Sequence, residues 1–232
     1  KNILIIGGSS GISAAVAELC LAQGHRVYLA SRTKNEALKG AIHQTFDVLN
    51  DAIETLVLPE QIDGFVYAPG SINLRPFKML KAVTFEKDFA INVMGLINTV
   101  QGILPKLMAS PQASLVFYST VAVGVGMPFH TSVAMAKGAV EGFARALAAE
   151  YAPQLRVNVV APSLTQTPLA GRLLSSEEKI QNMGQRHPLK RVGTAEDIAQ
   201  MTAFLLGEQS SWMTGQVLGV DGGLSKLKPV LA

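Results

Sequence analysis

A chain of 232 residues, 48% apolar and 16% charged, is long enough for one sizeable domain with its own core. Its 20 Lys and Arg are scattered among 17 acidic residues and the net charge is only +3, so no nucleic-acid or membrane patch is expected. Cys20 is the only cysteine, which excludes an internal disulfide and points to a reducing, cytoplasmic setting.

The charged fraction is below the roughly 25% usual for soluble domains, which fits either a surface partly buried against other subunits or a large apolar core. The first residues, KNILIIGG, enter a strand directly, without a signal-peptide layout. Apolar runs such as 3–6 and 157–161 are far too short to span a bilayer. Strand-like runs follow at 2–6, 26–30, 43–47, 63–68, 114–119, 155–160 and 216–220. Helical patterns lie between them near 11–23, 33–41, 50–57, 84–108, 132–151 and 195–207. Apolar strands alternating with helices predict a Rossmann-like, doubly wound parallel sheet of about seven strands in a three-layer α/β/α sandwich. Nothing divides residues 1–232 into more than one domain.

In such a sheet ligands sit beyond the carboxyl ends of the strands, so the residues after each strand carry the functional information. After the first strand comes GGSSGIS, residues 7–13, opening a helix. Glycines there allow a tight turn and a close approach to a pyrophosphate, which the free N–H groups of the helix start then stabilise. Gly7, Ser9, Ser10, Gly11 and Ile12 are the candidates for that contact. The second strand ends VYLASR, with Ser31 and Arg32 where NAD enzymes commonly carry an acid for the ribose hydroxyl. A guanidinium suits a 2′-phosphate, so NADP(H) is expected over NAD(H), against the plainer reading of a solvated surface arginine. Asp47 and Val48 close the third strand and suit the adenine edge and face, or a simple Asp turn.

Taken together, GGSSGIS, the Asp-Val pair at 47–48, YAPG at 67–70, INVMG at 91–95, FYSTVA at 117–122 and AMAKGAVEGFARALAAE at 134–150 resemble the short-chain dehydrogenase/reductase family. RVNVVAPSLTQTPL at 156–169 and the closing HPLKRVGTAEDIAQMTAFLL…TGQVLGVDGG extend the resemblance over essentially the whole chain. The resemblance implies NAD(P)(H), hydride transfer between nicotinamide and a small carbonyl or alcohol, and a homotetramer or homodimer. By position it makes Asn92 the residue whose helix distortion holds a relay water, and Thr120 the counterpart of the catalytic serine, with Ser119 as its understudy. It makes Lys137 the lysine that binds the nicotinamide ribose, and Thr167 the threonine that bonds the carboxamide. Ala68, Pro69, Gly70, Pro162, Leu164 and Thr165 complete the implied cofactor contacts.

The departures are as informative. Ser13 replaces the third glycine, Ser163 the glycine after Pro162, and YAPG a motif that usually holds two asparagines. Val133 stands where the family keeps its general-acid tyrosine, four residues before Lys137. The enoyl reductases of the superfamily place their tyrosine seven residues before the lysine, and here that position is His130. Seven residues return almost to the same helical face, so His130 is a candidate acid, or a residue that merely precedes the helix. Tyr118 and Tyr67 are expected to pack rather than to donate. Residues 168–190 correspond to the family's substrate lid, with Leu169, Leu173 and Met183 as apolar lining. Gly95, Gly102, Gly138 and Gly142 would allow close helix approach, between subunits or within one. Two functions follow: an atypical NADP(H) reductase, or a non-catalytic dinucleotide-binding relative that acts as a sensor or assembly subunit.

Overall fold

The computed structural model describes residues 1–228. Seven parallel strands form one sheet: β1 (Asn2–Ile6), β2 (Arg26–Ser31), β3 (Ile42–Thr45), β4 (Gly64–Tyr67), β5 (Ala113–Tyr118), β6 (Leu155–Pro162) and β7 (Val217–Val220). Their order is β3-β2-β1-β4-β5-β6-β7, as expected for a doubly wound sheet. β4 and β5 are buried along their whole length, which explains why they read as unbroken apolar runs.

Side chains alternate between two cores. Leu4, Ile6, Phe65, Leu115, Phe117 and Val157 face the layer of α3 (Gly95–Met108) and α4 (Thr131–Tyr151). Ile3, Ile5, Val27, Leu29, Val66 and Val116 face α1 (Gly11–Ala22) and α6 (Ala195–Leu206). Two shorter helices are α2 (Ala82–Phe89) and α5 (Glu177–Gly184), and a single helical turn spans Ala122–Val125. Among the described residues no helix is long and apolar enough to cross a membrane.

Three sequence expectations need correction. Residues 33–41 hold turns rather than a helix: Leu38 is the only buried residue there, and Asn35 spends its side chain on the Ser9 carbonyl (3.1 Å) and the Ala37 N–H (3.0 Å). The helix expected at 50–57 is a single tight turn, Ile53–Thr55. The helix expected over 84–108 starts at Ala82 and is broken by a π turn at Ala90–Met94.

The small residues divide between two uses. A Cβ on Gly95 would meet the Tyr67 hydroxyl at 2.5 Å, and one on Gly102 would meet Ile53, so both serve packing within the chain. Gly142 has open space beside it.

One polar group fastens the far edge of the sheet. Arg156 in β6 is buried, and its guanidinium donates to the carbonyls of Leu205, Gly207, Ser210 and Met213 at 2.8–3.2 Å. It thereby caps the C-terminal end of α6 and ties the approach to β7. Arg156→Ala removes four charge-assisted hydrogen bonds of a buried guanidinium, although each carbonyl keeps a second donor, and should cost at least about 2 kcal/mol of stability. The measurement is the urea midpoint; an unchanged midpoint would show that water replaces the guanidinium.

Candidate active site

The sheet changes its direction of winding between β1 and β4, so the loops after these strands part and leave a crevice. Gly7 (φ +83°) donates to the Ala30 carbonyl at 2.8 Å, and a Cβ there would press on Pro69 at 3.1 Å. Gly11 (φ +59°) opens α1, with the Thr167 side chain 3.2 Å from the place of a Cβ. Ser13, the departure at the third glycine, is buried and spends its hydroxyl on the carbonyls of Gly7 (2.8 Å) and Ser10 (3.1 Å), bracing the turn from within. Ser10 makes no side-chain cap and the first turn of α1 carries no acid, so its N–H groups are free to meet an anion.

At the end of β2, Ser31 is buried, and its hydroxyl donates to the Thr33 carbonyl (2.9 Å) while meeting His43 Nε2 (3.0 Å). The proton is thus spent within the protein, and the histidine must be the donor to the oxygen. Arg32 is exposed and has no carboxylate partner among the described residues, whereas Lys34 pairs with Glu36 at 2.8 Å. Asp47 behaves as a turn residue: its oxygens accept from Leu49 N–H and Asn50 Nδ2, both at 3.0 Å.

A single cleft of about 740 Å³ joins this cradle to the ends of β4, β5 and β6. It collects Gly7, Ser9, Ser10, Gly11, Ile12, Ser31, Arg32, Asp47 and Val48 along one side, and Ala68, Pro69, Gly70, Pro162, Leu164, Thr165 and Thr167 around the middle. Ser119, Thr120, His130, Val133 and Lys137 form its inner wall. Asn92 is the exception. It lies buried behind Gly70, where a Cβ would sit 3.2 Å from Asn92 Oδ1 and 3.5 Å from Lys137 Nζ.

The inner wall divides by where its hydroxyls point. Ser119 donates to Glu141 Oε1 at 2.6 Å, behind the cleft. Thr120 accepts a weak bond from Ala122 N–H (3.3 Å) and keeps its own proton free to donate. Val133 is buried one turn before Lys137 on α4. Burial draws Lys137 down to about 8, against the opposing pull of the Asp88 carboxylate. His130 precedes α4, with Nδ1 2.7 Å from the Pro128 carbonyl. A carbonyl only accepts, so the Nδ1 proton is fixed there and a neutral ring offers the cleft only an acceptor at Nε2.

Neither tyrosine is placed to give a proton. Tyr67 donates to the Ile91 carbonyl at 2.6 Å, Tyr118 meets Thr202 Oγ1 at 3.0 Å, and burial pushes both phenols well above their ordinary value.

Sequence reasoning passed over the group behind this wall. Asp88, wholly buried on α2, accepts from Ser71 Oγ (2.5 Å) and Asn73 Nδ2 (2.7 Å) through one oxygen. Asn92 Nδ2 donates to the Asp88 carbonyl (2.8 Å) and lies 3.2 Å from Ser71 Oγ. A usable signal was present: Asp88 stands one helical turn before Asn92, and Ser71 and Asn73 directly follow the YAPG turn.

On the opposite side Leu169, Leu173 and Met183 reach the cleft from residues 168–190. His187, buried, holds this segment: Nδ1 meets the Met183 carbonyl at 3.0 Å and Nε2 meets Ser163 Oγ at 2.9 Å. The carbonyl fixes the tautomer, so Ser163 is the donor in the second bond. The serine after Pro162 therefore anchors the segment. Among the described residues no cluster of ligands could hold a metal ion.

Known proteins share this fold and much of this sequence. Residues 7–225 match the family model described as enoyl-(acyl carrier protein) reductase. A tropinone reductase homolog of Arabidopsis thaliana is 32% identical, with 97% of this chain and 92% of the relative covered. A 3-oxoacyl-[acyl-carrier-protein] reductase of Thermotoga maritima is 30% identical over 97% of each chain. Among solved structures, the ligand-free aldohexose dehydrogenase of Thermoplasma acidophilum superposes with a TM-score of 0.91 at 27% identity, covering 100% of this chain and 96% of that one. ElxO with NADP bound gives 0.88 at 25% identity, covering 98% and 99%. With a match running from residue 7 to residue 225, the chain belongs to the short-chain dehydrogenase/reductase family of NAD(P)-dependent oxidoreductases.

Proposed function

We propose that this protein is an NADP(H)-preferring reductase of small carbonyl or conjugated substrates that works without the family's tyrosine. The observation that carries the reading is one cleft in which the glycine turn, Arg32, Thr120 and Lys137 all meet. The fit to a dinucleotide rests on the cradle, where Gly7 and Gly11 leave room that side chains would fill and the start of α1 offers unpaired N–H groups.

In this reading Gly7, Ser9, Ser10, Gly11 and Ile12 hold the pyrophosphate, and Arg32 the 2′-phosphate. Asp47 and Val48 border the adenine. Ala68, Pro69, Gly70, Pro162, Leu164, Thr165 and Thr167 border the ribose and carboxamide. The bound nicotinamide supplies or accepts the hydride. Lys137 holds the ribose, Thr120 donates its free hydroxyl to the substrate oxygen, and Asn92 backs Lys137 across Gly70. Ser31 lines the phosphate end, but with its hydroxyl already committed it shapes the pocket rather than donating to the ligand. Residues 168–190 close over the substrate, whose size is limited by Leu169, Leu173 and Met183. Exposed Val83, Phe89 and Met94 on α2 and the π turn, with Met135 on α4, support a homodimer or homotetramer, and the single cysteine supports a cytoplasmic setting.

Val133 favours the second reading, a non-catalytic relative that binds dinucleotide as a sensor or assembly subunit. The two part at turnover: only the first predicts carbonyl reduction that requires Lys137.

Fluorescence titration with NADPH and NADH should show saturable binding with NADPH preferred. Arg32→Asp should raise the Kd for NADPH by about 10–100-fold, the worth of a charge-assisted contact, and leave NADH nearly unaffected. Equal losses for both would remove the 2′-phosphate role from Arg32. In a steady-state assay with a simple ketone, Val133→Tyr should raise kcat/KM by about 100-fold or more, the usual scale of positioned acid catalysis. No gain would mean that the rest of the wall is not set for carbonyl reduction.

A further inference from the structure

We propose that Lys137 is itself the proton donor of this site, and that the buried carboxylate of Asp88 is the positioning residue that keeps its ammonium charged. The inference rests on the reductase reading above and adds the source of the proton.

Three observations converge. Among the described residues the wall beside Lys137 offers no phenol as an acid: Val133 is apolar, Tyr67 and Tyr118 spend their phenols on Ile91 and Thr202, and the Thr120 hydroxyl can bond an oxygen but is too weak an acid to yield its proton. Lys137 Nζ borders the cleft at Gly70, so a substrate oxygen held by Thr120 shares that wall with it. Behind it stands a carboxylate at 0% exposure whose Oδ1 takes two hydrogen bonds and whose Oδ2 has no partner among the described residues. A buried charge left partly unpaired is costly, and it is kept where a nearby opposite charge offsets the cost.

Asp88 is the carboxylate that bears on Lys137. Glu141, one turn further along α4, is turned instead to Ser119 (2.6 Å) and Arg145 (3.8 Å). His130, two turns earlier, is tied to Pro128.

The two influences on the ammonium act in opposite directions. Desolvation favours the neutral amine and brings Lys137 down to about 8, a range suited to an acid at neutral pH, while Asp88 prevents a deeper fall. As the substrate carbonyl carbon accepts hydride from the dinucleotide, the C=O π pair moves onto oxygen. An Nζ–H bond of Lys137 then breaks, leaving its electron pair on nitrogen, and the O–H bond of the alcohol forms. The neutral amine regains a proton from water before the next turnover. Ser71 and Asn73 hold the Asp88 carboxylate still, and Asn92 links that network to the floor of the cleft at Gly70.

Asp88→Asn is the discriminating variant, because its amide oxygen still accepts from Ser71 and Asn73 while the charge is gone. In cofactor-free protein, NMR titration of the Lys137 side chain should show its pKa falling by about one unit or more in Asp88→Asn. In the NADPH-dependent assay, reduction should decline as pH rises through about 8 in the native enzyme. The same decline should appear at correspondingly lower pH in Asp88→Asn, with Asp88→Glu restoring the native profile. His130→Phe should leave the position of this basic limb where it is. An Asp88→Asn protein with an unmoved Lys137 titration and limb would overturn the proposal and leave Asp88 as a holder of the 71–73 loop. Loss of the limb in His130→Phe would overturn it in favour of the imidazole. A protein that neither binds NADPH nor reduces a carbonyl would defeat the reductase reading instead, a result separable from these because Lys137 is titrated without cofactor.

Discussion

The molecule is organised by a constraint at the centre of its sheet. β1 and β4 lie side by side, but the chain continues from them in opposite directions, so their C-terminal loops diverge and cannot cover each other. The backbone of the first loop must then turn almost on the spot, which Gly7 and Gly11 permit with positive φ values. Pro69 and Thr167 press into the room those glycines leave. Any side chain at these positions would push the two walls apart. The width of the cleft is therefore fixed by missing atoms, and the polar groups along it inherit their spacing from that width.

The same crevice sets the electrostatics of the inner wall. Strands buried on both faces leave no water beneath the loops, so a cation placed there pays for desolvation. Lys137 is that cation, and its environment is apolar on the Val133 side and acidic on the Asp88 side. A tyrosine at 133 would have brought a polar head beside the ammonium. With valine there, burial and the Asp88 carboxylate bear on the Lys137 ammonium in opposite directions. The π turn at Ala90–Met94 carries Asn92 on the short stretch that follows Asp88, where its Nδ2 donates to the Asp88 carbonyl.

Much of this was legible in the sequence, for a physical reason. Apolar runs such as NILII and SLVFY mark strands that lie between two helical layers, and loops after such strands are where a ligand can sit. The site residues named from those loops line one cleft, with Asn92 just behind it. What the sequence hid were places where a side chain competes with the backbone. Asn35 bonds its own neighbourhood where the pattern predicts a helix over 33–41, and Asp47 does the same just before the single turn at Ile53–Thr55. Asp88 was hidden differently. In FEKDFA it reads as one more solvated charge on a helix, and only the return of residues 71–73 over α2 buries it.

That contrast bears on how the departures from the family pattern are to be understood. Ser13 and Ser163 each remove a glycine, yet each returns a hydrogen bond that fastens a loop, to Gly7 and Ser10 in one case and to His187 in the other. These substitutions are compensated locally and leave the cradle intact. Val133 has no such compensation in its own contacts, since a valine side chain can neither donate nor accept. If the chemistry is retained, its compensation must come from groups already facing the same space. The geometry leaves few: the Thr120 hydroxyl, which can bond an oxygen but is too weak an acid to yield its proton, His130, which donates from Nε2 only when charged, and Lys137. Lys137 is the member of that set on which both desolvation and the Asp88 carboxylate bear, in opposite directions.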